Sequence, residues 1–143
     1  LRLVFSGLIV SSRVTEWESP DPSEVIRRIG NDLPGTPQAS LTARLDWSRD
    51  LAANWEFKLS GWASYTDGAF RDIENTVALR SDERFLANAR MEIAQVDQGL
   101  RFYVIGKNLF DEVYVTAVRE LLGMRGEYYG EPRTVSLGIG YEF

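Results

Sequence analysis

Residues 133–143 read RTVSLGIGYEF, and their alternation decides the fold class. Val135, Leu137, Ile139, Tyr141 and Phe143 take every second position, while Thr134, Ser136, Gly138, Gly140 and Glu142 fill the gaps. A period of two is the mark of a β-strand with one apolar face. Chain ends that fray tend to finish on polar residues, so a strand that alternates up to an aromatic terminus calls for an environment that holds it.

Working back from this stretch, five more segments alternate. The expected strands are 1–15, 38–49, 54–66, 84–96, 100–110 and 131–143. In 38–49, Ala39, Leu41, Ala43, Leu45 and Trp47 share one face, and Ser40, Thr42, Arg44, Asp46 and Ser48 the other. In 54–66, Trp55, Phe57, Leu59, Gly61, Ala63 and Tyr65 form the apolar face, with Trp62 the exception on the polar side. In 84–96, Phe85, Ala87, Ala89, Met91 and Ile93 alternate with Arg84, Leu86, Asn88, Arg90 and Glu92. The segment 100–110 has apolar residues on both sets, so its faces stay open. The first segment alternates least well. Residues 22–29 are expected to form a short helix, with Pro22 in its first turn and Asp21 or Ser23 as cap.

The connections run long, short, long, short, long. Asp97-Gln98-Gly99 has the chemistry of a tight hairpin turn. The fold class is therefore all-β, an antiparallel up-and-down meander of about six strands with short turns at one end and large loops at the other. Outer-membrane barrels share that asymmetry.

Composition narrows the function. The chain has 143 residues, 44% hydrophobic and 26% charged, with four Trp, six Tyr and seven Phe. With neither Cys nor His, the usual zinc sites and His-based triads are closed to it. The pairs Asp72/Glu74 and Asp82/Glu83 lie in an expected loop and read as solvated charge rather than acid–base catalysts. No catalytic residue, metal ligand or cofactor is expected. A formal charge of −5 argues against a nucleic-acid partner. No run of 18 apolar residues exists for a transmembrane helix, but a barrel strand needs only about ten alternating residues. LRLVFSGLIVSS, residues 1–12, lacks a convincing signal-peptide cleavage site and is expected to be a strand cut by the boundary of a fragment.

Two features favour lipid on the apolar face. Charges sit deep in the opposite faces, at Arg44, Asp46, Glu56, Lys58, Arg90 and Glu92. They suit a watery lumen, and equally the solvent side of a soluble sheet. Aromatics gather near strand ends: Trp47, Trp55 and Phe102 beside short turns, Tyr65 and Phe85 beside a long loop. Such belts suit a membrane interface, although aromatics also favour strands in general. Six strands are too few for a single-chain membrane barrel, which starts at eight.

Three stretches carry a family resemblance. YVIGKNLFDEVY (103–114) resembles the penultimate strand of TonB-dependent outer-membrane receptors. GEPRTVSLGIGYEF (130–143) resembles their last strand, and LPGTPQASLTARLDW (33–47) the descending strand after a Pro-containing loop. Each motif is degenerate alone; their order and spacing together are more specific. The resemblance implies that the chain is the C-terminal part of a 22-stranded transmembrane barrel, with the plug domain and TonB box outside it. It implies residence in the outer membrane of a Gram-negative bacterium and import of a scarce extracellular ligand, such as siderophore-bound iron, by TonB-transmitted energy. Residues 16–37, 67–83 and 110–130 would be its last three outside loops. Val135, Leu137, Ile139, Tyr141 and Phe143 would be the closing strand read by the barrel-assembly machinery, a role that suits an alternating edge strand; Phe143 as a plain interfacial anchor is the simpler reading.

The ligand itself is not readable from the strands. Trp17, Arg27 and Arg28 in the first loop, and Arg119, Arg125, Tyr128 and Tyr129 in the last, are the candidate contacts for an anionic or aromatic ligand, against a background in which most exposed Arg and Tyr are merely solvated. VREL (118–121) reads equally as part of a loop helix. Two further readings stay open: a soluble lipocalin-like ligand-binding barrel, and a small structural outer-membrane barrel that would need an extra hairpin within 69–80.

Overall fold

The computed structural model describes residues 1–51, 54–121 and 124–142, and for 119–121 and 125 the backbone alone. Six strands form one antiparallel sheet: β1 (Arg2–Ile9), β2 (Ala39–Asp50), β3 (Trp55–Thr66), β4 (Arg84–Gln95), β5 (Leu100–Lys107) and β8 (Thr134–Tyr141). Their spatial order is β1-β2-β3-β4-β5-β8, so β1 and β8 are the two edges. A separate hairpin, β6 (Val115–Leu121) with β7 (Met124–Tyr129), stands between β5 and β8 in sequence.

The register assembles the faces. One row runs Leu45, Gly61, Ala89 and Gly106; the next runs Trp47, Leu59, Met91, Val104 and Leu137. At the far edge Leu3 pairs with Leu45 and Phe5 with Ala43. Every strand thus contributes its apolar set to the same side. The ambiguity of the fifth segment is resolved by pairing: Phe102 faces Ile93 and Ile139, so Leu100, Phe102, Val104 and Gly106 belong to the apolar face. Arg101, Tyr103 and Lys107 belong to the other.

The polar face is held by its own charges. Arg44 donates to both Asp46 oxygens at 2.8 and 3.0 Å, and Ser60 adds a bond to Asp46 at 2.9 Å. Lys58 meets Glu56 at 2.9 Å, and Arg90 pairs with Glu92.

The short turns form as their residues dictate. Val96–Gln98 make one tight 3-10 turn that ends on Gly99, whose φ of 64° suits glycine. Between β2 and β3 the Leu51 amide donates to the Trp55 carbonyl at 2.7 Å. In the first loop α1 (Pro22–Arg28) begins where expected, and Asp21 caps it by accepting from the Ser23 amide at 2.9 Å. Hydrogen bonding from Ser23 holds the Asp21 carboxyl below its ordinary range.

Five readings are corrected. The first strand covers 2–9 rather than 1–15; past Ile9 and Ala39 the pairing ends with the Val10 amide donating to the Gln38 carbonyl at 2.9 Å. The fifth ends at Lys107 rather than 110, because Asn108 turns the chain with φ 47°. The last begins at Thr134 rather than 131, after Pro132, which has no amide to donate. The stretch 110–130 is not plain loop, and VREL is not helical: both belong to the β6–β7 hairpin, in which Val118 pairs with Glu127. No hairpin forms within 69–80, where the chain makes a turn at 73–74 and a 3-10 turn at Val77–Leu79.

Candidate functional site

Two surfaces are candidates: the apolar face and the loop end. The apolar face is uncovered. Leu137 is 81% exposed and Ile139 71%. Val14, in the first loop, is the sole buried hydrophobic side chain among the described residues. The chain exposes 10431 Å², whereas a compact monomer of 16.2 kDa exposes about 7,450 Å². The sheet therefore presents its hydrophobic side outward instead of enclosing a core. A groove of about 750 Å³ between Phe57, Met91, Phe102 and Leu137 belongs to this open wall.

The aromatics named from sequence sit at the two ends of the wall. Tyr65 pairs directly with Phe85 at the loop end, where Phe85 also meets Phe110 with ring centroids 5.7 Å apart. At the turn end Trp47 meets Phe57 edge-on at 5.7 Å, Trp55 opposes Gln95, and Phe102 opposes Ile139. Val135, Leu137, Ile139 and Tyr141 line the outer edge strand; Phe143 lies outside the described residues.

The loop end is built from 10–38, 67–83 and 108–133. The first two loops are stitched together. Arg28 donates twice to Glu74 at 2.9 and 2.7 Å, and its guanidinium lies 4.5 Å from the Trp17 ring centre. Asn75 donates to the Asp32 carbonyl at 2.9 Å and accepts from the Asp32 amide at 2.7 Å. Asn31 reaches the Ile73 carbonyl at 2.8 Å, and Gly35 donates to Phe70.

Between the second and third loops lies a cleft of about 580 Å³. Arg71, Arg80 and Arg84 line it together with Asp67, Asp82 and Glu127, three cations against three anions. Phe70, Tyr114 and Tyr129 supply aromatic wall. Arg71 donates to the Val115 carbonyl at 3.0 Å, and Arg84 lies 5.6 Å from the Tyr114 ring centre. The mixed charge and aromatic lining suits a ligand that combines polar and planar groups.

The ligand candidates from sequence divide. Trp17 and Arg28 come together, and Arg28 is further held by Glu74 and, at 3.6 Å, by Glu24 of its own helix. Arg27 bonds the Ser23 carbonyl within its own helix at 3.3 Å. Tyr129 lines the cleft and donates to Glu127 at 2.8 Å; Tyr128 is exposed beside it, its carbonyl accepting from Thr116 at 2.9 Å. Arg119 pairs with Gly126 and Arg125 with Glu120 along the hairpin, and their side chains lie outside the described residues. Arg71, Arg80 and Arg84 are not among the sequence candidates: Arg71 and Arg80 lie in a loop with no periodicity to single them out, and Arg84 opens β4 as one of its polar-face residues.

The KNLFDEVY stretch has a structural centre. Asn108, 4% exposed, donates to the carbonyls of Glu112 and Glu131 at 2.9 and 3.0 Å and accepts from the Glu112 amide at 2.9 Å. Its own amide donates to the Asn88 side chain at 3.0 Å, tying the loop to β4.

No family model and no curated protein matches this chain. Among solved structures it is similar to BauA, the ferric preacinetobactin receptor of Acinetobacter baumannii, with a TM-score of 0.67 and 22% identity over 81% of this chain. The chain spans 16% of that receptor's length. The likeness is one of fold: the six-stranded antiparallel sheet described above is an architecture that also occurs within that receptor.

Proposed function

We propose that this chain is the C-terminal barrel segment of a TonB-dependent receptor in a Gram-negative outer membrane, and that the whole receptor imports a scarce ligand such as a ferric complex. The continuous apolar face carries this reading. Six strands in register place their hydrophobic sets on one side and, apart from Arg49 opposite Phe57 at the turn end, their charges on the other, and β2, β3 and β4 have 12 residues each, enough to cross at the usual tilt. Similarity of fold to a ferric-complex receptor supports the ligand class. The plug and the TonB contact belong to parts of the receptor outside this chain, and the large loops are its outer, ligand-facing end.

Cysteine labelling tests the topology, since this chain has no cysteine of its own. In intact cells that carry the full-length receptor, an impermeant maleimide labels Ile26→Cys in the first loop. Gln98→Cys in the short turn becomes reactive only after the envelope is permeabilised. Labelling of Gln98→Cys in intact cells, or recovery of the receptor in the soluble fraction, overturns the reading. Loss of ferric-complex uptake on deleting either the receptor or TonB tests the transport role separately.

A further inference from the structure

The last strand has an odd polar face: Thr134, Ser136, Gly138 and Gly140. Its apolar face is a run of similar aliphatics, Val135, Leu137 and Ile139, followed by Tyr141 at the turn end. A slip by two residues keeps the faces correct and, along the aliphatic run, exchanges only one aliphatic for another. Apart from Tyr141, neither face by itself gives β8 a unique register.

Two repeated stacks supply what the strand lacks. On β4, the Arg90 guanidinium lies 4.1 Å from the Tyr103 ring centre, and Arg90 is held in turn by Glu92. Tyr103 is the register partner of Gly138, and its ring covers that glycine so closely that a Cβ there would overlap it. At the loop end, Arg84 of the same strand lies over Tyr114. Tyr114 covers Gly130, where a Cβ would again overlap the ring, and the Gly130 amide donates to the Tyr114 carbonyl at 2.8 Å. The order is the same in both: arginine from β4, tyrosine, glycine.

We infer that these two Arg–Tyr–Gly stacks are the register pins of the closing strand. They hold 130–138 at both ends. A slip in one direction puts Ser136 under the Tyr103 ring, with a Cβ and a hydroxyl where only hydrogen fits. A slip in the other puts Gly140 there but draws Gly130 out from under Tyr114. Each tyrosine is kept in place by the cation on its face. The glycines are required for close approach rather than for backbone freedom.

The inference rests on the sheet and not on the transport role, and its test reads register directly. In the full-length protein in its cell envelope, Lys107→Cys with Thr134→Cys reports the native register, because these residues are partners; Ile105→Cys with Thr134→Cys reports the two-residue slip that puts Ser136 under Tyr103. With Tyr103 present, oxidation joins the native pair. Tyr103→Ala should raise the slipped product at least threefold at the expense of the native one, while Tyr103→Phe, which keeps the ring, leaves both unchanged. Gly138→Ala should lower the native product with Tyr103 in place and have no further effect once Tyr103→Ala is present. If Tyr103→Ala blocks assembly, the same double-substitution cycle is read from refolding yield in detergent micelles. Additive losses in that cycle, or an unchanged register in Tyr103→Ala, overturn the inference.

Discussion

Asn108 shows how one side chain can organise a boundary. The left-handed backbone that ends β5 there is one asparagine tolerates better than most residues. Its amide group then satisfies the backbone on both sides of the third loop, at Glu112 and at Glu131. Asn108→Ala removes all three side-chain bonds at a buried position. The expected loss of stability is at least the ~1–3 kcal/mol that one orphaned buried polar group costs. Asn108→Asp keeps the acceptor but loses the two donated bonds, so it should also destabilise. Urea unfolding of the refolded protein measures both; an Asn108→Ala midpoint equal to wild type would rule out the organising role. This residue lies within the motif that carried the family resemblance, yet its sequence neighbourhood says nothing of its partners. Glu131 is remote in sequence, and only the closed loop brings it near.

At the scale of elements, legibility followed the alternation. β2, β3 and β4 were expected at 38–49, 54–66 and 84–96 and form at 39–50, 55–66 and 84–95, because charge and hydrophobicity separate between their faces with few exceptions, Arg49, Trp62 and Leu86 among them. In β5 both residue sets are apolar, since Tyr103 and Ile105 sit on the polar side, and only pairing with β4 and β8 assigns the faces. The β6–β7 hairpin escaped because its two strands answer to each other and cover no core. Arg71 and Arg80 of the cleft escaped for a related reason: loop partners are set by folding, not by local spacing. Adjacent positions on β3 test the separation of faces. Ala63 lies on the apolar side toward the loop end of β3, between Ala43 and Ala87, and Ser64 on the polar side between Thr42 and Leu86. In a bilayer, Ala63→Arg should cost about 1–2 kcal/mol, between the interfacial and midplane values, and Ser64→Arg little. On a solvent-exposed sheet both would stay within about 0.5 kcal/mol. Equilibrium unfolding of the two variants in lipid vesicles separates the cases.

For the whole molecule the controlling quantity is surface. A chain that exposes 10431 Å² with a single covered hydrophobic side chain among its described residues draws little stability from a core of its own. The sheet ladders, the polar-face ion pairs and the loop stitching hold its shape, and the apolar wall needs an apolar neighbour. If that neighbour is lipid, the tryptophans report it by side and by depth. Trp47 and Trp55 are on the wall near its turn end, Trp62 is on the opposite face between Arg44 and Asn88, and Trp17 is in the first loop. In vesicles whose acyl chains carry bromine close to the headgroup, Trp47→Phe or Trp55→Phe should remove part of the quenchable fluorescence. Trp62→Phe and Trp17→Phe should remove only unquenched signal. Moving the bromine to the bilayer centre should weaken the contribution of Trp47 and Trp55, since a belt at the interface lies far from the midplane. Equal quenching of Trp47 and Trp62 would mean that the two faces do not meet different solvents, and the membrane reading would fail with it.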